Sequence, residues 1–315
     1  MIQKPKQALL WLGLATLAIG TLSLSLGAVG FPTWNILLSV RFPRILLGLL
    51  VGLGLAGSGA VFQGVLRNPL ADPFILGTSS AATAGVMMAN LFGIHNYYLL
   101  YLLALGFALM SITLVYRIAL IDGKSPVQTL VLAGVIVSLF FNALVFIVFS
   151  LFYRESFNVL FYLLGTLTSA DPLLIVVSGI LILVSFGTSW LLSRELNVLT
   201  QGEEVAFHLG VEVETAKRIL FVTASTMVGA CVAVAGMIGF VGLIVPHMMR
   251  MIVGPDHRYL LPASALSGAI LLIVTDALAR TLTPPLEIPV GALTALLGAP
   301  YFVYLLRRRQ QAGEF

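Results

Sequence analysis

Between Ile45 and Leu66 the chain is apolar and carries no charge, a run long enough to cross a hydrocarbon core of about 30 Å as one helix. Within it Gly48, Gly52, Ala56, Ala60 and Gly64 recur at every fourth position. One face of such a helix has almost no side chain, so a neighbouring backbone can come close. We assign these five residues to helix packing. Arg41 and Arg44 precede the run, and the turn R-N-P-L-A-D-P from Arg67 follows it, with two prolines and opposite charges where the chain leaves the bilayer. Phe74 opens the next apolar run, which makes the unit a helical hairpin.

The pattern extends along the chain. Further apolar runs span Ala8 to about Val29, Phe74 to Phe92, Leu99 to Leu120, Val127 to Leu151, Leu173 to Leu192, Ile219 to Ala235, Phe240 to Val253, Leu260 to Leu278 and Ile288 to Leu306. The first lies behind Lys4 and Lys6 like a signal peptide, but it exceeds the roughly 7 to 15 residues of such a core and more spans follow, so it is read as a span. The piece from Val159 to Leu167 is too short to cross and reads as an interfacial helix. Gly236 and Gly239 interrupt the pattern and mark a sharp turn or broken helix. With 59% hydrophobic and 10% charged residues, against about 25% charge in soluble domains, the expectation is an all-α polytopic membrane protein of about ten transmembrane helices. Residues 1–315 form one domain, with a polar loop at about 194–218.

Cytoplasmic loops collect lysine and arginine. With both termini inside, only Arg41, Arg44, Arg154 and Arg280 of the 17 Lys and Arg fall outside, which supports an even number of spans. Val51, Gly52, Ala56 and Gly59 reappear as Val228, Gly229, Ala233 and Gly236; five spans separate the copies, so a true repeat would be inverted, as in many transporters.

The polar residues exclude several chemistries. Cys231 is the single cysteine and lies in an apolar run, so no intramolecular disulfide can form. Gly123, Lys124 and Ser125 make a G-K-S fragment, but Ile118 stands where a phosphate-binding loop needs glycine; ATP would have to be hydrolysed by another subunit. The histidines, carboxylates and cysteine show no metal-site spacing, no catalytic constellation is visible, and neither a cofactor nor a nucleic-acid partner is expected. Methionines 87, 88, 248, 249 and 251 read as core filling. His247 follows Pro246, which kinks its helix and frees carbonyls that the imidazole can satisfy. Asn142 reads as a buried amide bonded to a neighbouring helix, with a position facing the pathway as the alternative. Asp276 lies one turn before Arg280 and is expected mainly to neutralise it.

The motifs R-F-P-R from Arg41, G-S-G-A-V-F-Q-G from Gly57 and R-N-P-L-A-D-P-F-I-L-G from Arg67, with G-F-V-G-L-I-V-P-H-M-M-R from Gly239, resemble the FecCD family over nearly the whole chain. These are the permease subunits of ATP-binding-cassette importers for iron-siderophores, haem and cobalamin, with a type II importer fold. In the family's cobalamin importers, arginines at R-x-P-R and D-x-x-A-R receive glutamates of a binding protein. The resemblance therefore implies docking roles for Arg41, Arg44 and Arg280, and guanidinium chemistry suits them to carboxylate. The loop containing Gly202, Glu203, Glu204, Ala206, His208, Leu209 and Gly210 resembles the family's coupling segment, a short helix that fits the ATPase subunit; Gln201, Phe207 and His208 depart from its usual residues. The stretch D-G-K-S-P-V-Q-T-L resembles the inner gate, which implicates Ser125 and Pro126.

The resemblance implies as partners cytoplasmic ATPase subunits, a periplasmic or lipid-anchored binding protein, a second permease copy or a homologous permease, and membrane lipid. It implies a multi-pass protein of the prokaryotic inner membrane with both termini cytoplasmic. Ferric siderophore is the expected cargo by family frequency, with haem and cobalamin as the other members' substrates. The alternative is an ion-coupled secondary transporter, which would need ionisable groups near the bilayer centre; spans 1 to 7 and 10 offer none.

Overall fold

Helix α2 (Trp34–Val65) is the post against which the other helices are set. The computed structural model describes residues 5–26, 33–151, 164–168, 171–284 and 286–311. Before α2 stands α1 (Pro5–Ser25), and near the start of α2 a π-turn spans Leu37–Arg41. Pro43 stands two residues beyond it; it has no N–H for the carbonyl four residues back, and the wider turn lets the helix continue through that gap.

The small residues of α2 serve more than one face. A side chain on Gly52 would run into Gly268 of α11 (His257–Thr281) and come within 2.7 Å of Ala269 Cα. Added to Gly59, it would collide with the Gly242 carbonyl of α10 (Val241–Val253). At Gly54 it would lie 2.6 Å from Cys231 Sγ of α9 (Val213–Ala235), and at Gly57 3.0 Å from Phe186 of α6 (Pro172–Leu191). Gly48 looks toward Leu167 and Ile273, Ala56 toward Gly268, and Gly64 toward Leu196 and His257. Ala60 is fully buried. Four helices thus close around α2, and the every-fourth-residue ridge accounts for only part of that enclosure.

Between α2 and α6 come a 3₁₀ turn at Pro73–Leu76, α3 (Thr78–Leu91), α4 (Tyr97–Ala119) and α5 (Val127–Leu151). The short helices α7 (Ser193–Leu199) and α8 (Glu203–His208) lead into α9, and α12 (Val290–Gln311) ends the described chain. Helices occupy all ten apolar runs, but they are not ten equal crossings. Among the described residues seven are long and apolar enough to span a membrane. The 14 residues of α3 and 13 of α10 reach only about 20 Å at 1.5 Å per residue, and the apolar part of α12 is Val290–Tyr301.

The shortfall has a local cause. The run toward α3 is spent partly on the 3₁₀ turn, which ends at Gly77 with φ 74°. The chain toward α10 bends between Gly236 (φ 71°) and Phe240 (φ 68°). Irregular backbone at membrane depth is tolerated where protein covers it, and Leu76 and Ile238 are fully buried. Most of the expected interfacial helix, residues 159–163, lies outside the described residues. Its end, 164–167, lies between α9 and α12, with Thr166 N donating to Ala235 O (2.8 Å) and Gly291 N to Gly165 O (3.3 Å).

The protein's outer surface is apolar, as lipid or a partner helix requires: Leu17, Phe146 and Val184 are each more than 60% exposed. From Arg41 to Arg67 along α2 is about 39 Å at 1.5 Å per residue. A Cβ on Gly202 would lie 3.7 Å from Arg67 Nη1, so the segment from Gly202 to Gly210 is at the opposite end of the molecule from Arg41 and Arg44.

Candidate functional site

Two polar clusters stand at those opposite ends. At the first, Arg44 Nε donates to Asp276 Oδ1 (2.8 Å) and Arg44 Nη1 to Glu287 Oε2 (2.9 Å) and Oε1 (3.1 Å). Arg280 Nε lies 3.1 Å from Asp276 Oδ2. Asp276 therefore does not simply neutralise Arg280 within one helix turn. It bridges α2 and α11 by sharing its two oxygens between two guanidinium groups.

The other donors of this cluster fasten α1. Arg41 Nη1 donates to Leu24 O (2.6 Å), Arg280 Nη1 to Leu26 O (3.4 Å) and Arg280 Nη2 to Ser23 Oγ (3.0 Å). Carbonyls at a helix C-terminus lack intrahelical partners and carry partial negative charge, so cations there are favourable. Arg41, Arg44 and Arg280 are all at most 6% exposed. Among the described residues the cluster sets three guanidinium groups against two carboxylates. Glu287 is its exposed member, with 38% of its side chain accessible. With Arg44, Asn90, His95, Tyr97, Thr166 and Thr168 it borders a cavity of about 770 Å³.

At the second cluster Lys217 is buried and uses all three of its donors. They go to Ser125 O (2.7 Å), Glu214 Oε1 (2.9 Å) and Glu203 Oε1 (3.1 Å). Glu214 Oε2 accepts from Ser125 Oγ (2.6 Å) and Ser125 N (3.2 Å). Helix α8 stands beside this node. Ala206 turns into the protein and is fully buried, while Val205, Phe207 and Leu209 are exposed, Phe207 by 72%. Glu204, His208 and Gly210 are exposed as well.

Ser125 is buried and Pro126, next to it at the head of α5, is exposed. The preceding residues form a tight turn in which Ile121 N donates to Lys124 O (2.8 Å) and Lys124 N to Ile121 O (2.9 Å). Asp122 (φ 49°) and Gly123 (φ 78°) are both left-handed, the signature of a type I′ turn. The G-K-S fragment is thus a reversal, with no strand before it among the described residues.

One expectation needs correction. Asn142 is exposed on α5, on a face it shares with Leu139 and Phe146. Pro246 has no N–H to give the Gly242 carbonyl four residues back, and the next carbonyl of α10, Leu243 O, accepts from Gln63 Nε2 of α2 (3.1 Å). No group of three or more His, Cys, Asp or Glu that could hold a metal occurs among the described residues. Glu287, Glu214 and Lys217 were not among the residues singled out by pattern. The i, i+3 spacing of Glu214 and Lys217 was the available signal for the latter two.

A model of the FecCD transport family matches residues 8–308. The chain is 44% identical over 279 residues to the cobalamin import system permease protein BtuC of Halobacterium salinarum, covering 86% of this chain and 73% of that one. It is 40% identical over 314 residues to the hemin transport system permease protein HmuU of Yersinia pestis, covering 95% and 94%. Its structure superposes on a solved inward-facing conformation of a transporter described as of metal-chelate ABC type, with TM-score 0.90 and 33% identity, over 96% of this chain and 99% of that one.

Proposed function

The chain belongs to the FecCD transport family, and from that premise we propose how its two polar ends divide the work of an ATP-driven importer. It is a multi-pass membrane permease subunit, not the ATPase subunit. The cargo we assign is a metal chelate: two relatives named for cobalamin and hemin align over most of the chain, and a ferric siderophore is the member of that class we favour. The observation that supports this reading most is the pair of clusters at the two ends of α2, one rich in arginine beside an open cavity, the other beside a short helix with an exposed apolar face.

The Arg44 end faces outward and docks the binding protein. Arg41 and Arg280 are committed to carbonyls of the α1 terminus, so Arg44 is the guanidinium that an incoming carboxylate can reach, by displacing half-exposed Glu287 from Nη1. Charge steers such an encounter and fixes its register. On this account E287Q, which removes the internal competitor, strengthens capture of the binding protein, measured by surface interferometry on nanodiscs. Weaker capture would mean that Glu287 holds Arg44 in its docking geometry.

The Glu203 end faces the cytoplasm. There Val205, Phe207 and Leu209 insert into the ATPase subunit, and Ser125 with Pro126 narrows the exit. A second permease copy completes the pathway. The test is reconstitution with the ATPase subunits and binding protein in vesicles, supplying haem, cobalamin or ferric hydroxamate. Uptake should require ATP. Uptake that ignores ATP and follows a proton gradient would replace this reading with ion-coupled transport.

A further inference from the structure

The environment of Lys217 is unusual because its three hydrogens go to three different segments: Glu203 at the start of α8, Glu214 in the first turn of α9, and the carbonyl of Ser125 ahead of α5. Ser125 is held at every polar atom it has, since its N–H and hydroxyl both donate to Glu214 while its carbonyl accepts from Lys217. The Lys217 side chain is 2% accessible, whereas those of Glu203 and Glu214 are 35% and 27% accessible. A buried cation of this kind is costly to separate from its partners. Within this knot, a shift of α8 that carries Glu203 also pulls on Lys217 and therefore on Ser125.

We propose that Lys217 is a positioning residue that makes the turn at residues 121–125 and the head of α5 follow the movement of α8. The inference rests on the assignments of α8 to the ATPase contact and of Ser125 to the exit. Lys217 touches neither cargo nor nucleotide; it acts by holding Ser125 to Glu203. Helix α8 is too short, at six residues, to move the distant α5 by packing alone, and Ala206 is its one residue in the core. The charged knot is the direct bonded route from α8 to Ser125 that the described residues provide.

The test uses the assembled importer, permease with ATPase subunits and binding protein, in nanodiscs. Nitroxides on cysteines at exposed Lys124 and Gln201 report the separation of gate turn and α8 by double electron–electron resonance, without nucleotide and after vanadate trapping with ATP. With Lys217 present, the two states should give the same separation and width. K217M should give distributions that differ between the states and are broader in both, with ATP hydrolysis retained. E203Q, altering a half-exposed side chain, should broaden and separate the two distributions in the same way, whatever its ATPase rate, and carries the test if K217M fails to assemble.

Unchanged distributions in these variants would overturn the inference, as would a separation that already changes between states in the unmodified protein. A cysteine at Phe207 cross-linked to the ATPase subunit monitors the underlying assignment. A cross-link with unchanged distances overturns the role of Lys217 alone, and no cross-link overturns the ATPase contact and this inference together.

Discussion

Both ends of the molecule are built on a buried cation, yet their carboxylates differ. At the Arg44 end, Asp276 is as buried as the arginines it bridges, with 3% of its side chain accessible, and the bonds run between membrane-crossing helices α1, α2 and α11. At the Lys217 end both carboxylates are partly accessible, and the bonds run among a turn, a six-residue helix and the start of α9. The same pairing chemistry therefore locks helices in one place and links peripheral segments in the other. Interior ion pairs hold their geometry because separation strands charges away from water; half-exposed ones can be exchanged or moved because water can take over.

The largest expected contrast comes from breaking one carboxylate at each end. D276A leaves two buried guanidinium groups without their shared partner and should cost about 3–5 kcal/mol, whereas E203Q, at a half-exposed pair, should cost about 0–1 kcal/mol. Denaturation of the detergent-solubilised protein measures both, and equal losses would abolish the distinction between the ends. Next in size is G52V. Its side chain would force α2 off Gly268, an overpacking typically worth about 1–3 kcal/mol, and would loosen the Arg44–Asp276 bond without altering a charge. If G52V leaves stability intact, close approach of α2 and α11 is not what brings the cluster together.

A smaller effect concerns the Lys217 end alone. Asp256 caps α11, accepting from Arg258 N (3.0 Å), and Asn197 Nδ2 donates to it (2.7 Å). The Arg258 side-chain bond is the main reason its carboxyl is held down, to about 2. A depressed pKa means that the charged form is favoured in the folded protein, so its contribution is present above the ordinary Asp value of about 4 and is lost as pH falls through about 2. The stability gap between the unmodified protein and D256N should accordingly close between pH 4 and 2. A gap that stays constant across that interval would remove Asp256 from the list of groups tying α7 to α11.

The sequence made visible whatever is local. Hydropathy located all ten apolar runs, and Gly236 with Gly239 marked the bend that the positive φ of Gly236 and Phe240 produces. Cations beside spans pointed to Arg41, Arg44 and Arg280. Pairing was not legible, because Glu287 lies 243 residues from Arg44 and Ser125 92 from Lys217, and nothing in a local pattern joins such positions. Helix length failed at α3 and α10 for a related reason: apolar residues in a 3₁₀ turn or a bend raise hydropathy as much as helical ones do. In α8 the division between buried Ala206 and exposed Phe207 was hidden because six residues are too few to display a helical period.

The claim that most needs testing is that these two ends face opposite sides of the membrane. Leu286 is 75% exposed beside Glu287 and Phe207 is 72% exposed on α8, while the single native cysteine, Cys231, is buried. L286C and F207C can therefore be labelled separately with a membrane-impermeant maleimide in intact and permeabilised spheroplasts. The account predicts that L286C reacts in intact spheroplasts and that F207C reacts only after permeabilisation. Reaction of both from the same side, or of F207C alone from outside, would contradict it.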